Sequence, residues 1–231
     1  MTDRELLDEV RRRRASGASP KSIARALGVR PAVIAPLVRH LAAEASTTSA
    51  GEPELVGCWV SPGWSRDLLV ERRDGWEDVD LGPGGPAGVA LALVGRSARH
   101  DHVSVCGYLV DTFCLGVKNV IGPEEMRRRD LQSFVRMYFA AFPAPPLRVP
   151  IDLGQHLVLG AIAFAAHLGF EAHPEFASAR QHLGALAEPC AITFGQRGRP
   201  LYVAGPYDNP AEILDKLRAA IGGDGFTAAA A

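Results

Sequence analysis

The stretch "GYLVDTFCLGVKN" (residues 107–119) carries a charge in the middle of an apolar strand pattern. In an extended strand, successive side chains point to opposite faces. Asp111 therefore shares a face with Leu109, Phe113 and Leu115. Lys118 follows seven residues later, beyond a glycine. The stretch predicts a strand and a turn, with one carboxylate held against apolar neighbours.

Two interpretations of Asp111 and Lys118 follow from this pattern. In the functional one, Asp111 lies in a partly apolar cleft that raises its pKa, and it serves as a base or metal ligand. Lys118 then binds an anionic substrate, so the two are candidate catalytic residues of a hydrolase acting on a phosphate-bearing compound. In the structural one, Asp111 accepts hydrogen bonds from the amides around Gly116–Asn119 and pairs with Lys118. No metal site is predicted, because metal-dependent nucleases gather several carboxylates.

Period-two patterns extend on both sides of this stretch, and helical patterns follow them. Strands are predicted over residues 54–60, 67–73, 89–95 and 101–115, the last two forming an antiparallel pair. Helices are predicted from residue 122 to about 142, over 153–168 and 174–186, and from residue 210. A hairpin is predicted over residues 190–205. Strands followed by helices indicate an α+β domain with an antiparallel sheet.

The first 45 residues have a different character. Three short helical segments are predicted there, and "PKSIARALGVRPAVIAPLVRHL" (residues 20–41) resembles a helix-turn-helix, with Ala24 at the helix crossing and Gly28 in the turn. Residues 46–54 are small and polar and predict a linker. We therefore expect a helix-turn-helix-like domain over residues 1–45, an α+β domain over 55–226, and a frayed tail over 227–231.

Charge is divided unevenly between these parts. Residues 1–45 hold nine Lys and Arg against five Asp and Glu, whereas the rest of the chain holds 16 against 21. The candidate nucleic-acid contacts are Lys21, Arg25, Arg30 and Arg39. Arg30 is the one residue at the start of the third helix suited to reading guanine. We therefore expect weak, largely non-specific binding to nucleic acid, or a helix-turn-helix that contacts protein instead.

Three segments of the larger part resemble an uncharacterised bacterial α+β domain family. They are "LVDTFCLGVKN" (109–119), "LGFEAHPEF" (168–176) and "FGQRGRPLYVAGPYDN" (194–209). The resemblance spans about residues 55–226 and implies a shared fold. It implies no activity, and no catalytic residue is transferred from it.

Bulk composition narrows the class of protein. The chain is 47% hydrophobic and 22% charged, and its four cysteines lack zinc-site spacing, so we expect reduced thiols, no cofactor and a cytoplasmic protein without membrane contact. Three functions remain open. The first is a nucleic-acid-associated or regulatory protein whose α+β body binds a ligand or partner. The others are the hydrolase using Asp111 and Lys118, and a protein–protein adaptor.

Overall fold

A computed structural model of the chain describes residues 9–10, 12–13, 20–29, 34 and 53–229. The chain divides into two compact units, Met1–Pro53 and Glu54–Ala231. Within the described residues, no helix combines the length and the apolar character needed to cross a membrane.

The larger unit is an α+β fold. Its described strands, in chain order, are β1 Leu55–Val60, β2 Leu69–Val70, β3 Val89–Ser97, β4 His102–Asp111, β5 Gly116–Arg127, β6 Leu147–Val149, β7 Ile192–Thr193, β8 Leu201–Val203 and β9 Thr227–Ala229. Five of them form one antiparallel sheet in the order β5-β4-β3-β1-β6. The predicted α+β class and antiparallel sheet are confirmed.

The two faces of this sheet are covered by different helices. The described helices are α1 Pro20–Leu27, α2 Leu131–Tyr138, α3 Ile151–His167, α4 Phe176–Leu183 and α5 Pro210–Ile221. Alternation along β4 sends Cys106, Tyr108 and Val110 into the main core with α3 and α4. Val103 and Val105, earlier in β4, lie in a second cluster with α2. Because β3 and β4 are apolar on both faces, these central strands form a buried middle layer.

The helix predicted from residue 122 is wrong in its first third. Residues 116–127 form β5, in which Glu124 pairs with Val105 and Arg127 with His102. A short 3₁₀ turn, Arg128–Asp130, then leads into α2. "GPEE" has the local composition of a helix start, but pairing with the long strand β4 satisfies its backbone groups and overrides that preference.

The predicted hairpin over residues 190–205 is wrong in its strands. A single antiparallel bridge joins Gln196 and Arg199 at its tip, but the strands on either side do not pair with each other. Strand β7 pairs antiparallel with β2, whereas β8 pairs parallel with β9. Residues 227–229, expected to fray, form β9. Their backbone groups form hydrogen bonds with β8. A short run of alanines gives no local sign of this pairing.

The N-terminal unit is described in part. Ile23 and Ala24 of α1 are buried together with Val10 and Ile34. Gly28 ends α1 in a left-handed conformation, with a φ of 65°. The predicted three-helix domain is not supported, because only α1 has described bounds in this unit; most of its other residues lie outside the described ones. The helix-turn-helix stays a prediction.

Gly116, at the start of β5, offers a test of how closely α3 packs on the sheet. It has a φ of 69°, and a Cβ there would lie 2.8 Å from Ala165 Cβ and 2.9 Å from Ala161 O. Gly169 has a φ of 85° with nothing within 4 Å of its virtual Cβ. Both alanine variants strain the backbone by about 1 kcal/mol. Only Gly116→Ala adds a clash, so urea unfolding should show it to be the less stable by about 1–3 kcal/mol. Equal losses would contradict this packing.

Candidate ligand-binding site

Asp111 ends β4 and holds the turn that follows it. Its Oδ1 accepts hydrogen bonds from the amides of Phe113 at 2.9 Å and Cys114 at 2.8 Å. Only 8% of the residue is exposed. The structural interpretation was right that backbone amides bind Asp111, but it placed them at Gly116–Asn119. The donors come earlier because an aspartate readily accepts from amides two and three residues ahead.

Burial governs the protonation of Asp111. Burial raises the pKa of this carboxyl above its ordinary value, and the amides of Cys114, Phe113 and Leu115 and the charge of Lys118 offset that rise only in part. The folded protein therefore holds this proton more tightly than the unfolded chain does. The resulting stabilisation is present below the ordinary aspartate pKa and is lost as the pH rises through the pKa of the folded state.

The same turn binds three distant segments through its backbone. The amide of Thr112 donates to Gly88 O at 2.9 Å. The carbonyl of Thr112 accepts from the Gly195 amide at 3.0 Å, and the carbonyl of Phe113 accepts from the Leu201 amide at 3.2 Å. These bonds place β8 and the loop after it beside the ends of β4 and β5.

Lys118 pairs with Asp208, which lies in that loop. Its Nζ lies 2.9 Å from Oδ1 and 3.1 Å from Oδ2 of Asp208. Asp208 Oδ2 also accepts from the Gly205 amide at 2.8 Å and from the Tyr202 hydroxyl at 3.4 Å. The predicted partner of Lys118 was Asp111, so this part of the structural interpretation is wrong. A partner 90 residues away in the chain leaves no local signal.

These contacts determine the protonation of Asp208. Burial alone would raise the pKa of Asp208, but the hydrogen bonds from Lys118, Gly205 and Tyr202, together with the lysine charge, outweigh it and lower the pKa below its ordinary value. The stabilisation from Asp208 is thus present above the ordinary aspartate pKa and is lost as the pH falls through the lowered one. The pKa of Asp111 is therefore raised above the ordinary aspartate value, and the pKa of Asp208 is lowered below it.

A cavity of about 710 Å³ opens beside these groups. Most of its lining is apolar, and three of its residues have ionisable side chains: Asp111, Lys118 and Asp208. The lining residues are Ala87, Gly88, Val89, Leu109, Asp111, Phe113, Lys118, Asn119, Leu201, Val203, Ala204, Gly205, Pro206, Tyr207 and Asp208. The structure therefore brings both predicted catalytic candidates to one cavity, without direct pairing between them.

The residues that line this cavity become more exposed to solvent from its floor to its rim. Asp111 and Phe113 are buried, at 8% and 3% exposure, whereas Val203 is 41% exposed and Tyr207 is 98% exposed. The rim thus presents apolar side chains to water. Sequence reasoning missed Asp208, Tyr207 and Val203; the glycine and proline in "AGPYDN" (204–209) indicate only a turn.

A second polar cluster lies elsewhere, around the buried His156 of α3. The Nδ1 atom of His156 accepts a hydrogen bond from the Ala191 amide at 3.0 Å. Burial and the neighbouring Arg73 lower the pKa of His156. Arg73 binds Glu188 and lies over the Trp76 ring. The members of this cluster satisfy one another, which indicates a structural role.

The described residues contain no group of three or more His, Cys, Asp or Glu side chains placed to hold a metal ion. Of the predicted nucleic-acid contacts, Arg25 is exposed on α1 and Lys21 lies in the same helix. Arg30 and Arg39 lie outside the described residues.

Comparisons of the chain with protein-family models, with curated proteins and with solved structures return no match. The resemblance of the three sequence segments to a bacterial domain family stays a prediction. The cavity and its ionisable groups are the features of the molecule that bear on function.

The pairing of Lys118 can be tested by double-mutant cycles on unfolding free energy. Lys118→Ala and Asp208→Ala should couple by about 1 kcal/mol or more, because the pair is half-buried and hydrogen-bonded. Lys118→Ala and Asp111→Asn should couple by less. The exposed pair Lys216 and Glu212 is the matched control, expected to couple by about 0.5 kcal/mol or less. Stronger coupling of Lys118 to Asp111 than to Asp208 would refute the assignment.

Proposed function

We propose that the α+β unit binds a small, mostly apolar organic molecule in the cavity beside Asp111. In this proposal the chain is a regulator: the α+β unit recognises the ligand, and the N-terminal unit contacts nucleic acid. Ligand binding by the α+β unit is supported by the cavity, which combines an apolar lining with a few convergent polar groups.

The size and the lining of the cavity both favour a small molecule. Ligand pockets are typically about 300–1,000 Å³, lined by apolar side chains with a few polar groups that fix orientation. A volume of about 710 Å³ lies within that range. The polar groups, Asp111, Asn119 and the Lys118–Asp208 pair, are enough to orient one ligand.

The exposed apolar rim provides a driving force for binding. Val89 and Val203 are each about two-fifths exposed, and Tyr207 is almost fully exposed. A ligand that covers them removes apolar surface from water at about 25 cal/mol per Å². Concave, partly wetted apolar surface of this kind is a common feature of binding sites.

The charges favour binding over phosphate hydrolysis. A phosphate needs a free cation to receive it, and the ammonium of Lys118 is already bound to both oxygens of Asp208. The hydrolase hypothesis is supported by the shared cavity of Asp111 and Lys118 alone, and we hold it as the second candidate.

The nucleic-acid part of the proposal is supported by composition. The N-terminal 45 residues have an excess of basic side chains, and Arg25 is exposed on α1 while Ile23 and Ala24 on the same helix are buried. A helix that buries one side and exposes an arginine suits contact with phosphates, which position a protein without reading sequence. The protein-adaptor function stays an alternative for this unit.

Binding to the cavity can be measured with Nile red, a neutral dye that fluoresces in apolar sites. The full chain should bind it saturably, and Val203→Lys should weaken binding about threefold or more, because it replaces apolar rim surface with a hydrated, charged group. The matched control is Met137→Lys on α2, since Met137 is 65% exposed and does not line the cavity. It should bind like the parent. Failure of the parent to bind, or equal weakening by both variants, would rule out this site.

A further inference from the structure

We propose that the ligand of this cavity is an organic amine, with a protonated amino group bound to the Asp111 carboxylate and an apolar body filling the rest of the space. This inference rests on the proposed function and names the class of ligand. It follows from one carboxyl group, that of Asp111, which has no ion pair among the described residues, and from the place of that group in the cavity.

The carboxyl group of Asp111 lies in the lining of the cavity. Among the described residues Asp111 forms no ion pair, although only 8% of the residue is exposed. Its described hydrogen bonds come from the backbone amides of its own turn. A buried carboxylate is costly unless a cation meets it, and a ligand that supplies the cation removes that cost.

No cation of the cavity is free to do this. Lys118 is the one basic residue in the lining, and its ammonium is bound by Asp208. With Asp111 ionised, the three charged groups sum to one negative charge. An anionic ligand is therefore repelled, and a cationic one is attracted.

The gradient of exposure sets the orientation of the ligand. Asp111 lies at the buried floor beside Leu109 and Phe113, and the apolar rim lies at Val203 and Tyr207. An amine that reaches the floor leaves its apolar body against the walls. The exposed ring of Tyr207 then offers a flat surface at the mouth, suited to an aromatic body.

The amine can be tested with three indoles that share a ring and differ in the end of a short side chain: tryptamine, tryptophol and indole propionic acid. Each is titrated against the Nile red complex of the full chain at pH 7.5. Tryptamine should displace the dye at a concentration about tenfold or more below that of tryptophol, because a hydrogen bond to a charged partner is the stronger one. The acid should be the weakest of the three.

Two variants separate the Asp111 charge from general effects. Asp111→Asn keeps an oxygen for the amides of Phe113 and Cys114 but loses the charge, so it should remove the preference for tryptamine over tryptophol. Asp215→Asn makes the same change at an exposed position on α5 outside the cavity. It should leave the preference unchanged.

A pH titration of the parent protein gives an independent readout should Asp111→Asn fail to fold. The preference for tryptamine should fall as the pH is lowered and Asp111 is protonated. The other titratable groups that act on Asp111 or on its near neighbours are Lys118, Cys114, Tyr202 and Asp208. Burial raises the pKa of Cys114 to about 12 and also raises that of Tyr202, whereas that of Asp208 is lowered. Cys114 and Tyr202 therefore keep one protonation state through the acid range, and Asp208 changes only below the range of Asp111.

The outcomes separate this inference from the proposed function. Equal binding of the three indoles, preference for the acid, or failure of all three to displace bound Nile red overturns the amine and leaves the cavity as a binding site. A preference for tryptamine that survives in Asp111→Asn, or that is unchanged as the pH falls through the titration of Asp111, also overturns it. Failure of Nile red itself to bind removes the proposed function and the amine together.

Discussion

The turn after β4 depends on one carboxylate oxygen. Oδ1 of Asp111 accepts the amides of Phe113 and Cys114, which lie in the turn beyond the ladder bonds of the strand. With the turn held in this way, the carbonyls of Thr112 and Phe113 accept the amides of Gly195 and Leu201. A single side chain thereby fixes the exit of a long strand and the docking of a segment some 80 residues later.

This arrangement places a charge where burial disfavours it. The backbone bonds that hold Asp111 compensate part of its desolvation, and its pKa remains raised. Lys118, the nearby cation, is bound by Asp208, so it also anchors the loop that carries Tyr207. Such groups, kept at some expense to stability, are frequent at functional sites. In our proposal, a cationic ligand of the cavity pairs with this carboxylate and offsets the cost of burying it.

Elements that depend on local sequence patterns were predicted correctly, whereas those that depend on pairing between distant parts of the chain were not. Asp111 stood out because a charge broke a local alternation, and α3 and the central strands were found from local periodicity. The strand β5 was mistaken for a helix because its pairing with β4 outweighs its helix-like composition. Pairing of β8 with β9, and of Lys118 with Asp208, joins residues that no local pattern connects. Sequence thus singled out Asp111 and Lys118, which both line the cavity, whereas the loop that carries Asp208 is seen only in the fold.

Asp111 is a buried residue with no ion pair among the described residues, and we propose that an amine supplies the missing cation. The most direct measurement is the pKa of its carboxyl group, followed by the NMR shift of its carboxyl carbon, in the free protein and with tryptamine bound. We expect a pKa above the ordinary aspartate value in the free protein, and a lower pKa when the amine is present. A value at or below the ordinary one in the free protein, or no change on adding saturating amine, would contradict it.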